Sequence, residues 1–220
     1  MPASSVVMPT QTAEIGKPST IAIVIWVSVQ LAALGLSAER IALWTGAPSS
    51  MEQYALVFIV AVQAGVSALI FPHLLCSRSS TILAVAFAWP MAQLASYLSD
   101  TSGIVLLRSE IYISIWLLSL HLYSHALRRP RAKLLGTALA GMLSFGGPVL
   151  WYLQAEFFDE ALPHGITSFS AFGPMCGAIS QTFARFNSGS WFELSFLFAC
   201  GLMAFMGSAR FYSFSRQVIH

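Results

Sequence analysis

The sequence predicts an all-α polytopic membrane protein with six transmembrane helices, and three observations lead to this prediction. The 220-residue chain is 56% hydrophobic and 9% charged, with a mean hydropathy of +0.71, whereas soluble domains carry about 25% charged residues. Long apolar runs alternate with short polar connections, and the basic residues concentrate in every second connection. Because this small number of charged residues cannot cover a water-facing surface, lipid is the predicted solvent for most of the chain.

Each apolar run is close to the ~20 residues that a helix needs to cross a bilayer. The predicted helices cover residues 19–38, 51–75, 81–98, 106–127, 134–153 and 191–214. Pro90 lies in the middle of the third helix, and Gly146-Gly147-Pro148 predicts a bend or break in the fifth. Residues 1–18 are polar and rich in Ser, Thr and Pro, which predicts a flexible cytoplasmic segment.

The distribution of Lys and Arg predicts the orientation in the membrane. Most basic residues fall in segments on the same side as the N-terminus: Lys17, Arg78, Arg128, Arg129, Arg131, Lys133, Arg210 and Arg216. The opposite side holds only Arg40, Arg108 and Arg185. Basic residues accumulate on the cytoplasmic side of membrane proteins. Both termini are therefore predicted to be cytoplasmic, with the bacterial inner membrane as the expected location.

The connection between the fifth and sixth helices, residues 154–190, is the only long one. Residues 166–183 within it are semi-apolar and are punctuated by Gly173, Pro174 and Gly177. Non-helical backbone can enter a membrane only where protein or a water-filled cavity satisfies its polar groups. We expect one or two short re-entrant or interfacial helices here, with an ordinary extracellular loop as the alternative.

Three glutamines, Gln30, Gln63 and Gln93, lie near the middle of the first three predicted helices. An amide in hydrocarbon needs a hydrogen-bonding partner, so these side chains are expected to point into the bundle. They are candidates either for interhelical hydrogen bonds that hold the bundle together or for the polar lining of a substrate pathway.

Three histidines are predicted near the cytoplasmic boundary. His121 and His125 are spaced i, i+4 and share one face of the fourth helix, and His73 lies near the end of the second. Three imidazoles at one depth are candidate ligands for haem or a metal ion. Histidine is also tolerated at the interface, where its ring stays half wet, and this is the simpler interpretation.

Other classes of function find little support in the residues. The net charge of +2 is too small to predict nucleic-acid binding, and Cys76, Cys176 and Cys200 have no metal-site or disulfide spacing. We find no catalytic motif, so an enzyme is not predicted. Glu193 and the pair Arg108 and Glu110 lie near outer helix ends and are expected to be interfacial, which leaves no acidic residue in the middle of the membrane.

These features together resemble the membrane subunit of type-2 ATP-binding-cassette exporters. The similarity lies in chain length, six spans, a basic inner loop 128–133, and the stretch Phe172-Gly173-Pro174-Met175-Cys176-Gly177-Ala178-Ile179 before the last span. The resemblance implies a permease subunit without a cofactor of its own, working in an oligomer or hetero-complex in the bilayer and energised by separate cytoplasmic ATPase subunits. Residues 1–18 depart from the family because they do not form the longer amphipathic helix with which many members begin.

The resemblance also implies roles for the candidate residues. Gln30, Gln63 and Gln93 would be pathway or packing residues. The ATPase would dock on the inner loops at Arg78, Arg128, Arg129, Arg131 and Lys133.

Two alternatives stay open. In the first, the chain would be a membrane subunit of a respiratory or redox complex that holds haem b or quinone near His73, His121 and His125. In the second, it would be a membrane scaffold or assembly protein without a ligand. Bound haem would give a Soret band, and a scaffold would show neither a chromophore nor an ATPase partner.

Overall fold

The computed structural model describes residues 20–43, 54–127, 129–157, 173–182 and 188–217, and within these ranges all regular structure is helical. The helices, in chain order, are α1 Thr20–Leu43, α2 Tyr54–Leu74, α3 Arg78–Leu98, α4 Gly103–Ala126, α5 Pro130–Phe157, the short α6 Pro174–Ser180, and α7 Ser188–Gln217. The predicted all-α architecture is confirmed. Residues 1–18, Arg128 and much of the outer segment lie outside the described ranges.

Five of these helices are long and apolar enough to cross a membrane, namely α1, α2, α3, α4 and α7. The protein is therefore a multi-pass membrane protein. Its exterior agrees with this, because large apolar side chains such as Ile21, Leu134 and Phe192 are more than 70% exposed, and lipid is a favourable solvent for them. The fifth predicted span, which corresponds to α5, is not among the five.

Helix α2 forms the centre of the bundle. It packs against α1, α3, α4, α5 and α6. In its apolar stretch 67% of the residues are buried within the bundle, whereas only 17% are buried in the corresponding stretch of α7. Small residues on α2, including Ala64, Gly65 and Ala68, allow these neighbours to approach closely. The core lies along this helix and continues onto α4 through Tyr112, Trp116 and Leu120.

Several helix ends differ from the sequence prediction. Helix α1 continues to Leu43 rather than residue 38, and α5 extends from Pro130 to Phe157 rather than from 134 to 153. Helix α5 also stays helical through Gly146-Gly147-Pro148, so the chain does not break there, and a bend at this point stays a prediction. Proline removes one backbone hydrogen bond, and membrane-protein helices tolerate this loss where other groups compensate.

The turn between α2 and α3 is only three residues long, and a capping box closes it at the start of α3. The Ser77 hydroxyl accepts from the Ser80 backbone N–H at 3.1 Å, and the Ser80 hydroxyl accepts from the Ser77 N–H at 3.0 Å. This reciprocal capping box starts α3 at Arg78, three residues before the predicted start.

Candidate functional site

The short helix α6 occupies a cleft between four long helices. It contacts α2, α4, α5 and α7, and Pro174, Gly177 and Ala178 are buried there. Its position corresponds to the Gly-Pro stretch in which the sequence predicts a short helix. What the sequence does not predict is how deeply this helix is enclosed.

Two glycines allow α6 to fit into this cleft. Gly173 has φ +111°, in the left-handed region that favours glycine, and a Cβ atom there would collide with the Leu143 carbonyl of α5. A Cβ on Gly177 would collide with the Tyr112 hydroxyl of α4. The start and the middle of α6 therefore lie so close to α5 and α4 that a side chain at either glycine would collide with them.

Hydrogen bonds from α7 hold both ends of α6. At the start, the Gly173 backbone N–H donates to Glu193 Oε1 at 2.9 Å. At the end, Gln181 Nε2 donates to Ser190 Oγ at 2.7 Å, and Trp191 Nε1 donates to Gln181 Oε1 at 2.9 Å. The amide of Gln181, which is fully buried, thus has both a donor and an acceptor partner. The cleft satisfies inside the protein polar groups that lipid could not.

The structure brings Gln30 and Gln63 together and buries both. Gln63 Nε2 donates to Gln30 Oε1 and to the Ala88 carbonyl of α3, both at 2.8 Å. Gln30 Nε2 donates to the Trp26 carbonyl at 3.3 Å. Both N–H groups of Gln63 are therefore used in joining α1, α2 and α3, which favours the packing role for this pair.

The third glutamine lies apart from the other two. Gln93 is exposed on α3 and lines a groove of about 660 Å³ between α3 and α4. Apolar side chains form most of the groove, whose complete lining is Thr81, Ile82, Val85, Ala86, Trp89, Pro90, Gln93, Ser114 and Leu118. On its other side Gln93 is the hydrogen-bonding neighbour of the Glu110 carboxyl on α4.

His121 takes part in hydrogen bonds within the bundle. Its Nδ1 lies 3.0 Å from the Leu75 carbonyl and 2.9 Å from Thr81 Oγ1. Thr81 donates its own proton to the Ser77 carbonyl at 3.0 Å, so both neighbours of Nδ1 are acceptors and Nδ1 carries the proton. This assignment leaves the Nε2 atom as the one that could act as a ligand.

The other two predicted histidines differ in position. The ring of His125 packs edge-on against His121, with centroids 4.5 Å apart, whereas His73 is exposed at the end of α2. Among the described residues no three His, Cys, Asp or Glu side chains converge on a metal site. The haem b hypothesis stays a prediction.

The described candidate docking residues lie near the α2–α3 turn and near the end of α4, and a hydrogen bond links these two places. Ser124 Oγ, near the end of α4, donates to the Leu75 carbonyl in the turn before α3 at 2.7 Å. Arg78 follows this turn, and the exposed Arg129 and Arg131 follow α4. The basic side chains of both places therefore lie at one end of the bundle. Lys133 lies about one helical turn further along α5 and is half-buried.

Two acidic residues that the sequence predicts to lie near the outer interface are enclosed by other helices in the structure, and the sequence does not predict this enclosure. Glu110 was expected to be interfacial, yet it is 5% exposed, and Glu193 is half-buried against α6. The spacing Glu110, Ser114, Leu118 repeats every four residues and predicts one shared face of α4, a signal that could have linked Glu110 to the groove. No local pattern predicts that Glu193 meets Gly173, because the two lie far apart in the chain.

Comparison of the chain with protein-family profiles, with curated proteins and with solved structures finds no match in any of the three. Function must therefore be argued from the geometry.

Proposed function

We propose that this chain is the membrane-spanning permease subunit of an ATP-driven transporter, energised by separate ATPase subunits. In this proposal α5 is a sixth span, both termini are cytoplasmic, and the described end of the bundle that carries Arg78, Arg129 and Arg131 faces the cytoplasm. The transporter works as an oligomer or hetero-complex in the bacterial inner membrane.

The observation that carries the proposal is the enclosed helix α6 directly before the last long helix. Glu193, Ser190 and Trp191 of α7 pair the Gly173 backbone N–H and the Gln181 side chain at the two ends of α6, which is the internal pairing that irregular backbone needs at membrane depth. A short helix inserted from the outside between the last two spans is the feature in which the chain resembles type-2 exporter subunits.

The basic inner end is consistent with an ATPase partner. The hydrogen bond from Ser124 to the Leu75 carbonyl joins the α2–α3 turn to α4. A force applied to either inner turn would thus reach both, and through α4 it would reach Gly177 of α6, which contacts Tyr112.

Affinity purification in mild detergent followed by mass spectrometry tests the proposal. We expect a soluble subunit with a nucleotide-binding P-loop to co-purify with the wild-type chain. The double variant Arg129→Ala, Arg131→Ala should lose most of it, while Asp100→Asn, which removes one charge from the exposed turn at the other end of α3, should retain it.

The other outcomes would contradict the proposal. Haem- or flavin-bearing partners would indicate the redox alternative, and the absence of any ATPase under conditions that preserve the bundle would favour a scaffold. An ATPase that binds the double variant as well as the wild type would show that these arginines are not its docking site.

A further inference from the structure

Hydrogen bonds join helix α6 and the start of α7 into one unit. The Gly173 backbone N–H donates to Glu193 Oε1 at 2.9 Å, and Gln181 Nε2 donates to Ser190 Oγ at 2.7 Å. Trp191 Nε1 donates in return to Gln181 Oε1 at 2.9 Å. Because these bonds lie at both ends of the short helix, α6 cannot move away from α7 without breaking all of them.

The side of α6 that faces α4 and α5 is built differently. Tyr112 of α4 is fully buried against Gly177, and its hydroxyl has no hydrogen-bond partner among the described residues. Ser144 of α5 is also fully buried with an unpaired hydroxyl, and its carbonyl would lie 3.9 Å from a Cβ atom on Gly173. Each hydroxyl has lost its hydrogen bonds to water without replacement, which is unfavourable. Packing must compensate for both on this side of α6.

Further along its length, α7 is fastened to α4. The Tyr123 hydroxyl of α4 donates to the Leu197 carbonyl at 2.9 Å. The two helices are also in close contact one turn later, where a Cβ atom on Gly201 would lie 3.3 Å from the Tyr123 ring. The hydrogen bond at Leu197 lies four residues beyond Glu193, which is about one helical turn.

We propose that α6 and the first turns of α7 open as one unit away from Tyr112, with the Tyr123–Leu197 contact as the pivot. Opening keeps the hydrogen bonds between α6 and α7 and lets water pair the Tyr112 hydroxyl. It is opposed by the packing of Gly177 and by the edge-on contact of the Tyr112 and Trp191 rings, whose centroids are 5.5 Å apart. The unit is thus a gate in the bundle, and this proposal does not depend on an ATPase partner.

Hydrogen exchange of the full-length protein in lipid nanodiscs, followed by mass spectrometry, tests the gate, because amide exchange reports local opening. Tyr112→Phe keeps the ring and removes only the unpaired hydroxyl, so opening no longer gains a hydrogen bond. We expect residues 175–182 and 188–194 to exchange roughly fivefold more slowly in this variant, since one hydrogen bond is worth about this factor. Residues 113–126 of α4 should be unchanged.

The same exchange at the pivot should have the opposite sign. Tyr123→Phe removes a paired hydroxyl and should speed exchange of residues 195–201 roughly fivefold, whereas Tyr97→Phe, at a residue that is 86% exposed, should change neither region. Cys176, half-buried on α6, gives an independent readout. In a variant lacking Cys76 and Cys200, its labelling by N-ethylmaleimide should slow by the same factor in Tyr112→Phe.

Three results would overturn the proposal. Faster or unchanged exchange of α6 in Tyr112→Phe would mean that the hydroxyl supports the closed cleft. Slower exchange throughout the bundle, including residues 113–126, would mean that the variant raises only the global stability. Slower exchange of α6 without the start of α7 would mean that the two do not move as one unit.

Discussion

The cleft around α6 and the groove between α3 and α4 lie in the same bundle but are built in opposite ways. In the cleft, Gly173 and Gly177 leave no room for a Cβ atom, and the amide of Gln181 has partners for both its donor and its acceptor. In the groove about 660 Å³ is unfilled, and Glu110 Oε1 has no partner. The cleft has no room for a ligand, although the buried Tyr112 hydroxyl that faces Gly177 has no hydrogen-bond partner among the described residues, whereas the groove leaves open space along a lining that does not include Glu110.

The largest effect is expected from Gly173→Ala in the closed cleft. The new Cβ meets the Leu143 carbonyl and the left-handed backbone disfavours alanine, which together cost about 2–5 kcal/mol. The matched variant Gly35→Ala has open space at its Cβ in the middle of α1, so it should be neutral or stabilising by up to about 1 kcal/mol. Thermal unfolding in detergent measures both, and equal melting temperatures would refute the closed cleft.

A smaller loss is expected from Gln63→Leu. It leaves Gln30 Oε1 and the Ala88 carbonyl without their donor, which costs about 1–2 kcal/mol. Gln93→Leu removes a single hydrogen bond, to the Glu110 carboxyl, where Gln63→Leu removes two, and we expect about 0.5–1 kcal/mol. The measurement compares the unfolding free energies of Gln63→Leu and Gln93→Leu. If Gln93→Leu proved the more destabilising, the assignment of Gln63 as the packing residue would be wrong.

The inner turns should respond more weakly. Ser124→Ala removes one of the two donors near the Leu75 carbonyl, and His121 Nδ1 remains as the other. We expect about 0.5–1 kcal/mol in stability and faster amide hydrogen exchange in residues 75–77. Ser79→Ala, at an exposed position of the same region, is the control. Unchanged exchange in Ser124→Ala would show that this hydrogen bond does not restrain the turn.

The smallest effect on stability is expected from Glu110→Gln. A neutral amide in place of a buried carboxyl with an unpaired oxygen should leave stability unchanged or raise it by up to about 1 kcal/mol. Unfolding of the ligand-free variant and wild type measures this difference in stability. A clear loss of stability would mean that Glu110 supports the fold, and the contrast between the groove and the cleft would then disappear.

The sequence predicts much of the bundle because lipid imposes simple rules on it. Apolar runs of about 20 residues predict α1 to α4 and α7 to within about five residues at each end, and the semi-apolar stretch 166–183 predicts a short helix of the kind found at α6. The sequence predicts that the glutamines need partners, but not that Gln30 and Gln63 find each other while Gln93 turns outward. That outcome depends on how the helices rotate against one another, which adjacent residues do not encode.

The two glutamic acids show the same limit. Their distance from the helix ends predicts an interfacial depth for Glu110 and Glu193, which stays a prediction, but it does not predict that the bundle buries Glu110 or that Gly173 before α6 donates to Glu193. Burial of this kind arises from packing between segments remote in the chain. Hydropathy along a single segment cannot predict it.

The permease proposal requires that α5 crosses the membrane and that the chain reaches α7 from the outer side. Single cysteines at Arg129 and Gly189, both exposed and on either side of α5 and α6, test this directly in a variant lacking Cys76, Cys176 and Cys200. With a membrane-impermeant maleimide on whole cells, we predict that Gly189→Cys is labelled while Arg129→Cys is labelled only after permeabilisation. Labelling of both positions from the same side would mean that α5 does not span the membrane, and the proposed architecture would be wrong.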